Sequence, residues 1–210
     1  MAGRGSNRGT GDMDQVATPS ETRDVIERSD PRWSELREII DERSLLRGDF
    51  TLSSGRKSNY LFQLRQTTML PKGQFLVGTI IAEFMKARGI GTIGGPAIGA
   101  IPVVTATAFA SHLADNPVDA FFVRKAAKEH GAGERIDGYV NDGAEVLAVE
   151  DVTTTAGSMI DAIEAMKAEH RCRVHWGLAI LDREEGAREN LAKLGINLVS
   201  IFRTSDFDVS

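Results

Sequence analysis

Cysteine is nearly absent from this chain: Cys172 is the one thiol in 210 residues. No intrachain disulfide can form, which points to a reducing, cytoplasmic setting. His112, His130, His170 and His175 show no metal-ligand spacing, and a lone thiol cannot complete a zinc site. No apolar run is long enough to span a bilayer, and the N-terminus lacks the apolar core of a signal peptide, so no membrane partner is expected. There is no G-x-x-x-x-G-K-[ST] phosphate loop. Excess positive charge is also missing. Lys and Arg number 25 against 30 Asp and Glu, a net charge of −5, so no nucleic-acid partner is expected and any anion site must be built locally. Hydrophobic residues at 41% and charged residues at 26% are ordinary for a globular protein, and the length suits one α/β domain. The first residues are rich in Gly, Ser, Thr, Asn and Arg. A disordered extension over 1–25 is therefore expected, followed by a single domain over 26–210.

Hydrophobic patterning supplies the elements. Asp30-Pro31 opens a helix with the stripe Trp33, Leu36, Ile39 and Ile40. Residues 48–52 and 60–64 read as short strands around the turn Ser53-Ser54-Gly55-Arg56. Pro71 starts a helix with Phe75, Ile80, Ile81, Phe84 and Met85 facing inward, stopped by Gly89. Strands are expected at 90–93, 120–123, 146–149, 174–181 and 197–202, and helices at 98–113, after Ser158, and near 184–194. This alternation implies α/β architecture: a mostly parallel sheet with helices on both faces. Gly94-Gly95-Pro96 reads as a loop, as does 124–138, with a turn at Asn141-Asp142-Gly143. Gly89-Ile90-Gly91-Thr92-Ile93-Gly94 matches G-x-G-x-x-G, but its first glycine ends a helix and its last leads into Gly95-Pro96, the wrong context for a dinucleotide.

The most informative stretch runs from Val146 to Ser158. A valine-rich strand ends in adjacent carboxylates, Glu150 and Asp151; a turn of hydroxyl and small residues follows, and then a helix begins. Ser158 is a good N-cap, with Asp161 near the capping-box position. The order gathers acids and free backbone N–H groups at the C-terminal edge of a sheet. A helix N-terminus suits a phosphate. The acids would repel one, but they accept hydrogen bonds from the vicinal hydroxyls of a sugar. A second cradle is possible at Gly94–Ala100, again from backbone N–H groups. Arg124, Lys125, Lys128 and His130 crowd cations before two glycines. As a helix this run would set like charges four residues apart; a mobile loop over an anion fits better.

Residues 150–158 resemble the phosphoribosyl-pyrophosphate (PRPP) signature of type I phosphoribosyltransferases. The 124–135 run looks like the catalytic loop of the orotate enzymes, with Arg, Lys, Lys and His in the same order, and 48–62 looks like their N-terminal motif. The resemblance implies the type I fold with a small N-terminal hood. It implies transfer of phosphoribosyl from PRPP to orotate in pyrimidine biosynthesis, with Mg²⁺ carried on PRPP. Glu150 and Asp151 would hold the ribose hydroxyls, and Val152, Thr153, Thr154, Thr155, Ala156, Gly157 and Ser158 would wrap the 5′-phosphate. Arg124, Lys125, Lys128 and His130 would also contact PRPP; Lys125, Lys128, His130 and Asp151 would be catalytic, with Lys128 or His130 donating a proton. Leu61 and Phe62 would flank the pyrimidine, and Thr154 and Arg183 would bind orotate, a planar guanidinium matching its carboxylate. Family members work as homodimers, which would put Lys125, Lys128 and His130 in the partner's site. Three departures are visible: many members have Lys at Ser53, some have Lys at Gly99, and most have Gly at Ala156, where a positive φ would strain alanine. A transferase for another nucleobase, or a PRPP-sensing regulator on this fold, are the alternative readings.

Overall fold

The computed structural model describes residues 25–51, 55, 57–126 and 133–210. The extension expected over 1–25 lies outside the described residues, Val25 apart, as does the turn at 53–56 apart from Gly55. Helix α1 (Pro31–Arg43) begins as its sequence requires: the Asp30 carboxylate accepts from the Arg32 N–H at 2.9 Å, and Pro31 occupies the first turn. Strands β1 (Leu45–Thr51) and β2 (Lys57–Phe62) form an antiparallel hairpin, the small hood. Then come α2 (Arg65–Thr68), α3 (Pro71–Lys86), β3 (Thr92–Pro96), α4 (Ala100–Leu113), β4 (Asp119–Val123) and β5 (Ile136–Gly138). The chain continues through β6 (Glu145–Thr153), α5 (Gly157–His170), β7 (Arg173–Asp182), α6 (Ala187–Ala192), β8 (Asn197–Arg203) and a 3₁₀ turn, Thr204–Asp206.

The second sheet has the order β5-β4-β3-β6-β7-β8, parallel except where β5 meets β4. Strand β6 shows why its sequence is a continuous apolar run. Leu147 and Val149 pack on one face with Leu36, Ile81 and Val103 from α1, α3 and α4; Val146 and Ala148 pack on the other with Met159, Ile163 and Met166 from α5. A strand covered on both faces has no solvent side on which to alternate. Among the described residues no helix is long and apolar enough to cross a membrane.

Four expectations are corrected. Gly94 and Gly95 belong to β3 rather than to a loop. Their lack of a side chain serves close packing: a Cβ on Gly95 would lie 2.0 Å from the Val149 carbonyl oxygen. The expected loop 124–138 contains β5, too short and too polar to show a period. Phe75, expected inside, is 58% exposed, because the buried stripe of α3 is Leu76, Val77, Ile80, Ile81 and Phe84. Strand β6 runs on through the acids to Thr153, since its neighbour β7 continues to pair alongside it, Val152 with Leu181 and Thr153 with Asp182. Glu150 and Asp151 therefore sit on the rigid sheet and not on the turn.

The fit around Gly95 yields a direct test. Gly95→Ala should destabilise the protein by about 3 kcal/mol, because the clash is with backbone that cannot swing away; urea unfolding measures it.

Candidate active site

Four parallel strands end at one edge: β3 at Pro96, β4 at Val123, β6 at Thr153 and β7 at Asp182. Their loops surround the acid pair, the position where open α/β sheets hold ligands. A cavity of about 630 Å³ lies there, with Arg65, Ile98, Gly99, Arg124, Lys125 and Asp151 in its wall. Three of the sequence-derived site residues, Arg124, Lys125 and Asp151, are thus brought together.

Glu150 is 8% exposed. The Ser158 hydroxyl donates to its Oε1, whereas Oε2 is buried with no partner among the described residues. Burial pushes the Glu150 pKa up to about 7; the Ser158 bond opposes the shift and the neighbouring Asp151 charge adds to it. Asp151 is also raised, chiefly by burial, against the lowering effects of the Val152 N–H, 3.0 Å from Oδ1, and of the Arg65 charge. Gly99 gives Asp151 its space: a Cβ there would stand 2.2 Å from Oδ1. Lysine in place of Gly99 would need the carboxylate to move.

The turn after β6 exposes Thr154 and Thr155, and Thr153 is buried with its hydroxyl unpartnered among the described residues. Ala156 is the residue before α5, at φ 63° and ψ 18°. This left-handed conformation favours glycine, and it costs alanine roughly 1 kcal/mol. The N-cap expected at Ser158 is corrected here: the helix starts two residues earlier than expected, at Gly157, and its N-cap residue Ala156 offers no side-chain cap. Its first N–H groups are left for another acceptor. Ser158 is engaged by Glu150, and Asp161, expected to help cap, pairs with Arg135 (Nη1 to Oδ1, 3.1 Å).

The cationic run is anchored at its neck. The Arg124 N–H donates to the Arg135 carbonyl at 2.9 Å, and Arg135 Nε donates to the Arg124 carbonyl at 2.8 Å. Arg124 Nε lies 3.2 Å from Asp137. Lys128 and His130 fall outside the described residues.

Arg183 is 9% exposed and leaves β7 with its N–H bonded to the Thr153 carbonyl at 2.9 Å. Its Nε is 3.1 Å from Glu185, and its guanidinium carbon lies 5.1 Å from the centre of the Tyr60 ring. Tyr60 thus joins the hood to this edge, a contact that the sequence reading missed; an aromatic with a polar tip between Ser58-Asn59 and Leu61-Phe62 was the available signal. Phe62 packs into the core against Phe207, ring centres 5.3 Å apart, while Leu61 stays half-buried. Arg65 was missed because it lies outside every motif, on a four-residue helix. Among the described residues no group of three or more His, Cys, Asp or Glu side chains could hold a metal ion.

A buried carboxyl with a raised pKa makes stability depend on pH. The protonated form of Glu150 supports folding fully below pH 4.5, its unperturbed value, and this support is lost as pH rises through about 7. Glu150→Gln should therefore stabilise the ligand-free protein by about 1–3 kcal/mol at pH 8 and by little at pH 4.5, measured by thermal unfolding.

No protein-family model matches the chain. Relatives are nonetheless clear. An orotate phosphoribosyltransferase of Bradyrhizobium sp. is 42% identical over 176 residues, covering 82% of this chain and 95% of the relative. Among solved structures, the orotate phosphoribosyltransferase of Mycobacterium tuberculosis in complex with Fe(III) dicitrate superposes with a TM-score of 0.75 at 35% identity, over 84% of this chain and 98% of the other. The same enzyme in complex with PRPP gives 0.71 at 32% identity, with the same coverage. Identity at this level over nearly the whole of each relative, joined to an acid pair beside a cationic cavity at the switch edge of the sheet, leads to one assignment: the chain belongs to the orotate phosphoribosyltransferase family, with the type I phosphoribosyltransferase fold.

Proposed function

We propose that this protein transfers the 5-phosphoribosyl group from PRPP to orotate, giving orotidine 5′-monophosphate and pyrophosphate in de novo pyrimidine biosynthesis. The observation that carries this reading is the position of the Glu150–Asp151 pair, between the cation-lined cavity and the open N-terminus of α5. Ribose hydroxyls donate to the carboxylates, one of them to the unpartnered Oε2 of Glu150. The 5′-phosphate takes the first N–H groups of α5 and the hydroxyls of Thr154, Thr155 and Ser158, the last released from Glu150. The pyrophosphate lies in the cavity, against Arg124, Lys125 and the backbone at 97–99.

The reaction breaks the anomeric C–O bond and forms a C–N bond. Positive charge develops on the ribose ring, as in other sugar transfers through oxocarbenium-like states. No covalent nucleophile is needed; catalysis is positioning and charge stabilisation. Mg²⁺ suits this site: it favours phosphate oxygens with one or two carboxylates, the hard donors that Glu150 and Asp151 offer, and it neutralises the pyrophosphate. Lys125, Lys128 and His130 assist departure, Lys128 or His130 with a proton. Arg183 binds the orotate carboxylate in exchange for Glu185, with Leu61, Phe62 and Thr154 beside the pyrimidine.

We further propose a homodimer working in the cytoplasm, built from single domains over 26–210. An apolar face between α3 and α4 supports the dimer: Met69, Phe75, Phe109 and Leu113 are 58–68% exposed, and Ile98, at the mouth of the catalytic cavity, is 65% exposed. Apolar side chains grouped in this way mark a contact surface.

Orotate absorbance should fall when PRPP and Mg²⁺ are added together, and stay constant without Mg²⁺. Loss of adenine or another base instead of orotate would reject the substrate assignment. Asp151→Asn should lower turnover by about 10²-fold or more. Mixed dimers of Lys128→Ala and Asp151→Asn chains should regain activity that neither parent has; isolated heterodimers as inactive as the parents would show that the sites are not shared.

A further inference from the structure

The acids and the pyrophosphate make the cavity crowded with negative charge, and Gly99 contributes no side chain to it. We propose that Arg65 is a pyrophosphate-binding residue, closing the wall of the cavity that faces Lys125. This inference rests on the functional reading above.

The placement of Arg65 follows from packing. It opens α2, whose short backbone is fixed from both sides. Leu64 before it is 1% exposed. The hydroxyls of Thr67 and Ser44, both fully buried, lie 2.7 Å apart. Helix α3 presses so close that a Cβ on Gly73 would come within 2.0 Å of the Thr67 carbonyl oxygen. With the turn held, the exposed Arg65 side chain projects into the cavity wall beside Gly99, Lys125 and Asp151.

Its charge is available there. Among the described residues Arg65 forms no salt bridge, whereas Arg124, in the same cavity wall, is already 3.2 Å from Asp137. The guanidinium is near enough to Asp151 for its charge to lower that carboxyl's pKa, against burial. A resident cation beside a carboxylate that must accept ribose hydroxyls does two things. It favours the ionised form of Asp151 against the effect of burial, and it offers a planar fork of donors to the oxygens of the pyrophosphate leaving group. Gly99 makes the arrangement possible: with a Cβ 2.2 Å from Asp151 Oδ1, any longer side chain at 99 would occupy the space between the carboxylate and the cavity. The cation comes instead from α2, across the cavity.

The test uses calorimetry on the full chain with two probes, magnesium pyrophosphate and ribose 5-phosphate, together with the orotate assay. Arg65→Ala should weaken pyrophosphate binding by about tenfold or more, the scale of a lost hydrogen bond to a charged group. It should weaken ribose 5-phosphate binding by a clearly smaller factor, because that ligand meets Arg65 only through the charge it exerts on Asp151. Arg65→Lys should fall between the two proteins, since it keeps the charge and loses the fork. Equal weakening of both probes would overturn the assignment and make Arg65 a support for Asp151 alone. Unchanged pyrophosphate affinity in Arg65→Ala would also overturn it. If the wild-type chain neither binds pyrophosphate nor consumes orotate, the functional reading itself fails; if it does both and Arg65→Ala matches it, only the role of Arg65 fails.

Discussion

Burial of two adjacent carboxyl groups at the end of a central strand is the constraint around which this site is organised. Glu150 sits within β6, flanked by β3 and β7, with one oxygen satisfied by Ser158 and the other by nothing among the described residues. An unpaired buried carboxylate is expensive, so the ligand-free site holds this group towards its neutral form. A ligand that brings hydroxyl donors and a cation reverses that preference. On the proposed function, the cost built into the empty site favours a sugar that brings hydroxyl donors and a counter-charge. Strand rigidity matters as much: a carboxylate on a turn could relax towards water, whereas one inside a paired strand cannot.

The neighbouring backbone is shaped to keep this pair where it is. Gly95 lets β3 approach β6 closely, and Gly99 leaves Asp151 room on the cavity side. Ala156 turns the chain in the left-handed region so that α5 begins at once, its N–H groups directed back along the acids. The alanine methyl is buried, 1% exposed, among the residues that α5 packs on. That burial helps offset the conformational strain of an alanine in the left-handed region.

Much of this was legible in the sequence. The valine-rich run, the two acids and the hydroxyl-rich turn announced strand, ligand edge and helix N-terminus in order, because each depends on local chemistry: β-branched residues covered on both faces, acceptors at a strand end, small residues at a helix start. The Asp30-Pro31 cap was equally local and equally clear. The parts that escaped are those fixed by tertiary contact. Gly94 and Gly95 look like a loop until the neighbouring strand is seen to demand close approach. Ser158 looks like an N-cap until Glu150 takes its hydroxyl. Phe75 fits the apolar period of α3, yet packs outward beside Phe109 of α4. Arg65 carries no motif at all; only folding brings it to Asp151 and Gly99.

The central claim is that ligand hydroxyls ionise and engage the buried Glu150. Calorimetry of magnesium PRPP binding near pH 7, where the Glu150 pKa of about 7 lies, in buffers of different ionisation enthalpy, measures this most directly. The account predicts net proton release that falls by a fraction of a proton in Glu150→Gln. Absence of PRPP binding, or proton release identical in the two proteins, would contradict it.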